Sequence, residues 1–214
     1  MLFRSLAAIL ISSSIGLFDW HSLRRYYRVS KPEFRHSVVA MLGVMTIGVL
    51  GGVVVAVGLA ILRLLMLASK PHDAVLGTAP NGDGFVNLAT EPSAKPISGV
   101  VIYRFDASLL FFNADYFASR VRQVIHDAGA KPVVLVLDAE SMSLLDITGA
   151  EVLETLRAEL DQDGIQLRIA RSKGLFRKML ERSGVAGTIG RECLFPSIKA
   201  ATDFSTQEGP TCNQ

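Results

Sequence analysis

The chain has 214 residues, half of them hydrophobic, and 22 Lys/Arg against 20 Asp/Glu give it a net charge of +2. The charge is unevenly placed: residues 1–70 carry eight basic and two acidic side chains, whereas residues 71–214 carry fourteen and eighteen. A basic, apolar first third followed by a mildly acidic remainder indicates contact with a membrane surface. The acidic remainder has no basic stripe, so no nucleic-acid partner is expected.

Residues 38–62 form an apolar run of 25 residues without a single charge, which is long enough to cross a membrane. The run begins too far inside the chain for a secretory signal. Basic residues flank both of its ends: Arg24, Arg25, Arg28, Lys31 and Arg35 before it, and Arg63 and Lys70 after it. The positive-inside rule therefore favours two short segments that return to the cytoplasm, with one tilted span as the alternative.

The surrounding segments complete an expected membrane part over residues 1–69. Residues 2–18 are a second, shorter apolar run that fits the inner part of another span, and residues 19–36 mix aromatic and basic side chains as interfacial segments do. Residues 70–96 are rich in Pro and Gly and are predicted to be a linker, with a short edge strand at 85–88.

From residue 97 onward the pattern alternates between strand and helix. Apolar runs predict strands at 100–105, 133–137, 166–170 and, more weakly, 192–195, and helical periodicity predicts helices at 114–128, 148–160, 174–183 and 197–203. The expected fold is an α/β domain over residues 97–205, with a largely parallel central sheet flanked by helices and joined by right-handed crossovers. Residues 206–214 are a polar tail.

The loop between the second predicted strand and the following helix holds the candidate site. A helix N-terminus offers free N–H groups and partial positive charge, so an anion, a nucleotide or a partner protein is a candidate ligand there. The alternative is that Thr148 with Glu151, or else Asp146, merely caps the helix. The candidate binding residues are Asp138, Ser141, Ser143, Asp146, Thr148 and Gly149.

Catalytic, cofactor and metal sites are not expected. No histidine is placed to complete a catalytic triad, and the glycine-rich phosphate and dinucleotide motifs do not occur. Cys193 and Cys212 lack the spacing of a metal site, and no disulfide is expected between them.

Three stretches resemble the STAS domain of SulP-type sulfate permeases: GVVIYRFDASLLFFNADYF at 99–117, VLVLDAESMSLLDITGAEVL at 134–153 and GLFRKMLERSGV at 174–185. The first third resembles the last membrane segments of the same family. The resemblance implies the C-terminal part of a secondary transporter for sulfate, bicarbonate or related anions, in the inner (plasma) membrane with the STAS domain in the cytoplasm. It also implies a regulatory or assembly role for that domain.

The resemblance further implies that this chain lacks a complete transport site, because the family's anion site lies in earlier spans. Such a chain is a truncated gene product, a split subunit or an excised piece, and the sequence leaves these open. The expected partners are membrane lipid, the remaining transporter spans or a second copy, and a cytoplasmic regulatory protein. Stand-alone relatives carry a phosphorylated serine where this chain has Ile147, which leaves Thr148 as the candidate phosphorylation site. The alternative function is a membrane-tethered STAS module that recognises a signalling protein or a nucleotide.

Overall fold

The computed structural model describes residues 20–29, 31–82, 84–129 and 131–203. The predicted apolar run at 2–18 and the polar tail at 206–214 lie outside these residues. The chain divides into two compact units, residues 1–64 and residues 65–214.

The described part of the first unit is helical. Helix α1 covers Trp20–Val29, α2 covers Lys31–Ile47, and α3 covers Val49–Ser69 and continues into the second unit. The apolar run at 38–62 is thus shared between two helices that meet at Gly48. Of the described helices, α3 alone is long and apolar enough to cross a membrane, and it extends past the predicted end of the run.

Glycine explains the break. Gly48 has φ of +86°, a left-handed conformation that costs little only for glycine. The chain turns there, so that a Cβ placed on Gly52 would lie 2.5 Å from the backbone nitrogen of Val44. Side-chain size at Gly52 therefore limits how closely the ends of α2 and α3 approach.

The second unit is built on one six-stranded sheet. Its strands are β1 (Asp73–Thr78), β2 (Phe85–Asn87), β3 (Val100–Phe105), β4 (Val134–Asp138), β5 (Gln166–Ala170) and β6 (Leu194–Phe195), in the order β2-β1-β3-β4-β5-β6. The four strands from β3 to β6 are parallel, whereas β1 is antiparallel to both of its neighbours. The sheet is therefore mixed, with the predicted parallel part at its centre.

Helices connect the parallel strands, and one more follows the last strand. They are α4 (Ala114–Asp127), α5 (Ile147–Gln162), α6 (Gly174–Arg182), α7 (Val185–Ile189) and α8 (Ile198–Thr202), with a 3-10 turn at Arg191–Cys193 before β6. The strands at 100–105 and 166–170 match the predicted bounds, and the other predicted elements agree to within two residues. Helix α7 was not predicted, because five residues are too few to show a helical period.

The predicted linker at 70–96 is wrong in its first half. Strand β1 lies there, hydrogen-bonded between β2 and β3, while the predicted edge strand at 85–88 is β2. The sequence of β1, DAVLGT, is short and contains a glycine, so its pattern does not indicate a buried strand. At its start, the Asp73 carboxylate pairs with the Arg120 guanidinium of α4 at 2.9 Å.

Alternating side chains bury both faces of the sheet. Val101, Tyr103 and Phe105 of β3 face the larger core, which also takes residues from helices α4 to α7. Val100 and Ile102 face a smaller core that includes Ile198 and Ala201 of α8. Successive side chains of a strand point to opposite faces of the sheet, so a continuous apolar run such as that of β3 supplies both cores.

Cys193 is fully buried in the larger core. Cys212, the other cysteine of the sequence expectation, lies outside the described residues.

Candidate functional site

Asp146 is the N-cap of helix α5, and its two carboxylate oxygens have different partners. Oδ1 accepts a hydrogen bond from the Gly149 N–H at 2.8 Å, and Oδ2 accepts one from the Phe111 N–H at 2.7 Å. Of the two predicted caps, Asp146 is therefore the right one, and Thr148 lies within the first turn. The same carboxylate starts the helix and holds the loop after β3.

Further contacts join these two loops. The Leu109 N–H donates to the Leu144 carbonyl at 3.1 Å, and the Leu144 N–H donates to the Ser108 hydroxyl at 3.1 Å. A Cβ on Gly149 would lie 2.7 Å from the Leu109 carbonyl oxygen. Residues 108–113 and 144–149 consequently form one rigid surface.

Apolar side chains stand out on this surface. Phe111 is 67 % exposed, Ile147 is 65 % exposed and Leu144 is 44 % exposed, although the backbone around them is hydrogen-bonded. We call these three residues the apolar patch. Large exposed apolar side chains on a fixed backbone are typical of protein-binding surfaces.

Asp138, at the carboxyl end of β4, is fully buried and is not part of the patch. It forms a bidentate ion pair with Arg171, the residue directly after β5, and Arg171 Nε lies 2.8 Å from Asp138 Oδ1. Arg171 also pairs with Glu140, which Lys173 approaches to 3.5 Å. Burial lowers the pKa of Arg171, but the bonds to Asp138 and Glu140 outweigh it and leave that pKa above its usual value.

The predicted site residues thus have different roles. Asp138 and Gly149 are buried, and Asp146 is engaged as a cap. Ser141, Ser143 and Thr148 are exposed, and the Ser141 hydroxyl donates a hydrogen bond to Asp106 Oδ1 at 3.3 Å. The exposed hydroxyls of Ser143 and Thr148 therefore remain for contact with a ligand or partner.

Sequence reasoning missed Phe111 and Leu144, and also the role of Arg171. Apolar residues are normally assigned to the core, and nothing in the linear pattern marks these two as exposed. Arg171 lies 33 residues from its partner Asp138. The available signal for Arg171 was its position directly after β5, at the same edge of the sheet as Asp138, which ends the parallel strand β4.

Family comparison assigns residues 91–201 to the STAS domain. Over 197 residues the chain is 34 % identical to a probable sulfate transporter of Mycobacterium tuberculosis, covering 92 % of this chain and 35 % of that protein. It is 30 % identical to sulfate transporter 3.1 of Arabidopsis thaliana, covering 92 % of this chain and 32 % of that protein. The chain thus spans about a third of the length of these relatives.

The fold also resembles that of the murine solute carrier 26 family member A9, an anion transporter solved in its inward-facing state. The TM-score is 0.78 at 24 % identity, with 88 % of this chain and 31 % of that chain covered. The match covers more than the STAS region, and at this identity it reports on the fold alone.

Proposed function

We propose that this chain, which belongs to the STAS domain family, acts as the C-terminal part of a SulP-type secondary anion transporter for sulfate or a bicarbonate-like anion. The observation that carries the proposal is the match of 92 % of the chain to relatives that are sulfate transporters. Transport sites of such proteins lie between repeats near the membrane midplane, so the described helices do not supply one by themselves. We infer a regulatory or assembly role and no enzymatic activity.

The proposed location is the inner (plasma) membrane, with the STAS domain in the cytoplasm. Helix α3 has the length and composition of a span. Basic residues lie on both sides of the apolar run, which supports a cytoplasmic location for both flanks under the positive-inside rule. The proposed partners are lipid and the remaining transporter spans or a second copy.

We further propose that the apolar patch, with the exposed hydroxyls of Ser141, Ser143 and Thr148, binds a cytoplasmic regulatory protein. Its exposed apolar area suits a protein surface, and its backbone is already ordered, which lowers the entropy cost of binding. Thr148 is the candidate phosphorylation site, because its exposed side chain lies directly beside Ile147. A phosphate there would place charge at the edge of the patch and weaken apolar docking.

Binding of a nucleotide or another anion at the same loop is the alternative. The geometry favours it less, because the Asp146 carboxylate already accepts the Gly149 N–H that a phosphate would need. Asp146 also places negative charge at the helix N-terminus.

Site-specific photo-crosslinking tests the protein-binding surface. A photoreactive phenylalanine analogue at Phe111 or at Ile147 should crosslink to the same protein in native membranes. The matched control is the analogue at Leu175, which is 59 % exposed on α6 and lies outside the patch. We expect no crosslink to that protein from Leu175.

Two outcomes would contradict this proposal. One is crosslinking from Leu175 as strong as from the patch, which indicates random collision. The other is protection of the Gly149 amide from hydrogen exchange by added nucleotide, with no crosslink from either patch position, which favours the nucleotide alternative.

A further inference from the structure

Helix α1 carries a row of basic side chains that the transporter assignment does not use. His21, Arg24, Arg25 and Arg28 follow the spacing that places residues on one side of a helix. All four are exposed, and together with Val29 they line a concave space of about 310 Å³. We call these four residues the basic face.

The charges of the basic face have no acidic counterpart within their own helix, since α1 contains no Asp or Glu. In the second unit, by contrast, arginines are commonly paired with carboxylates, as in Arg120, Arg122, Arg157, Arg171 and Arg177. Among the described residues, no ion pair joins Arg24, Arg25 or Arg28 to a carboxylate. Like charges on one side of a helix repel each other, so an external anion would stabilise α1.

The position of α1 in the chain indicates which anion meets it. Helix α1 is followed after one residue by α2, whose second half is apolar. The Tyr27 ring of α1 contacts the Phe34 ring of α2 edge-to-face, with 5.2 Å between centroids. Aromatic and basic residues next to an apolar helix lie at the level of lipid headgroups.

We propose that the basic face binds the phosphate of an anionic lipid headgroup. The guanidinium groups of arginine donate paired hydrogen bonds that match phosphate oxygens. Basic residues close to a membrane are attracted to anionic lipids. The site rests on the membrane location of α2 and α3 and does not depend on transport activity. Free phosphate or sulfate offers the same chemistry, but headgroups are held beside α1 at far higher local concentration.

Trp20, the single tryptophan of the chain and the first residue of α1, allows a direct test. The full chain is placed in phosphatidylcholine nanodiscs that contain either brominated phosphatidylglycerol or brominated phosphatidylcholine at the same fraction. Bromine quenches tryptophan fluorescence at short range. We expect stronger quenching by the phosphatidylglycerol, corresponding to an enrichment near Trp20 of about fivefold for each arginine engaged.

Charge variants test whether the stronger quenching by phosphatidylglycerol depends on the basic face. R24Q/R25Q/R28Q should quench equally with both lipids, and R24K/R25K/R28K should keep part of the preference because its charge is retained. The matched control K178Q/R182Q/K199Q removes three exposed charges from the STAS domain and should behave like the wild type. Far-UV circular dichroism checks that each variant retains its helices.

Three results would overturn the proposal. Equal quenching by both lipids in the wild type would show that α1 does not select anionic headgroups. Loss of the preference in the STAS control would assign it to overall charge. Abolition by millimolar phosphate or sulfate, at constant ionic strength, would assign the basic face to a soluble anion instead.

Discussion

Arg171 has φ of +60° and is the single non-glycine residue with a positive φ that is recorded in the described part of the chain. The left-handed conformation costs a side-chain-bearing residue about 1–2 kcal/mol. Strain of this kind persists where surrounding contacts hold it, and here the contact is the ion pair with the buried Asp138. The ion pair between Arg171 and the buried Asp138 carboxylate therefore offsets the cost of the strained backbone at Arg171.

Substitution at Arg171 separates these two contributions. Both R171A and R171G should lower the free energy of unfolding, by about 3 kcal/mol, because Asp138 is left buried without its partner. R171G should nevertheless be about 1 kcal/mol more stable than R171A, because glycine relieves the strain. Urea denaturation of the full chain in detergent, followed by circular dichroism, measures both values.

Arg157, inside helix α5, is the control, since glycine there should be about 1 kcal/mol less stable than alanine. The same order of stability at Arg171 as at Arg157 would show that Arg171 carries no backbone strain.

At the scale of elements, helix α3 contains two glycines with unequal surroundings. Gly52 lies against Val44, where a Cβ would be 2.5 Å from the backbone, whereas nothing lies within 4 Å of a Cβ on Gly58. Both residues are in α3 and within the first unit. Alanine substitutions at Gly52 and at Gly58 therefore compare the effect of close packing with the effect of helix propensity within one helix.

We expect G52A to lower the thermal stability of the chain in detergent, because the new methyl group forces α2 and α3 apart. G58A should leave it unchanged or raise it, since alanine favours a helix over glycine by about 1 kcal/mol. The midpoint of thermal aggregation is the measurement. Identical midpoints for G52A and G58A would mean that the approach of Gly52 to Val44 is not tightly packed.

At the scale of the whole molecule, the two units differ in how their apolar residues are distributed. The first holds the whole uncharged run, and the second has two cores around a sheet. Strand β1 belongs to that sheet although it precedes residue 91, where the STAS match begins. The compact second unit, residues 65–214, consequently begins before the domain of residues 97–205 predicted from sequence.

Fractionation of three lengths of the chain tests this division. The full chain should remain in membranes washed with alkaline carbonate, and residues 70–214 should be soluble and folded. Residues 97–214 should aggregate, because removal of β1 exposes the hydrogen-bonding edge of β3. Release of the full chain by carbonate would contradict its membrane location, and a soluble, folded 97–214 would make β1 dispensable.

The sequence by itself determined the features that depend on neighbouring residues: the uncharged run at 38–62, the strands at 100–105 and 166–170, and the presence of a cap near Asp146. Periodicity and length are local properties, so one chain suffices to recognise them. Tertiary structure alone decided that β1 enters the sheet, that Asp138 pairs with Arg171, and that Phe111 is exposed. Each of these depends on residues far apart in sequence, because burial and ion pairing are set by the distance between side chains in space.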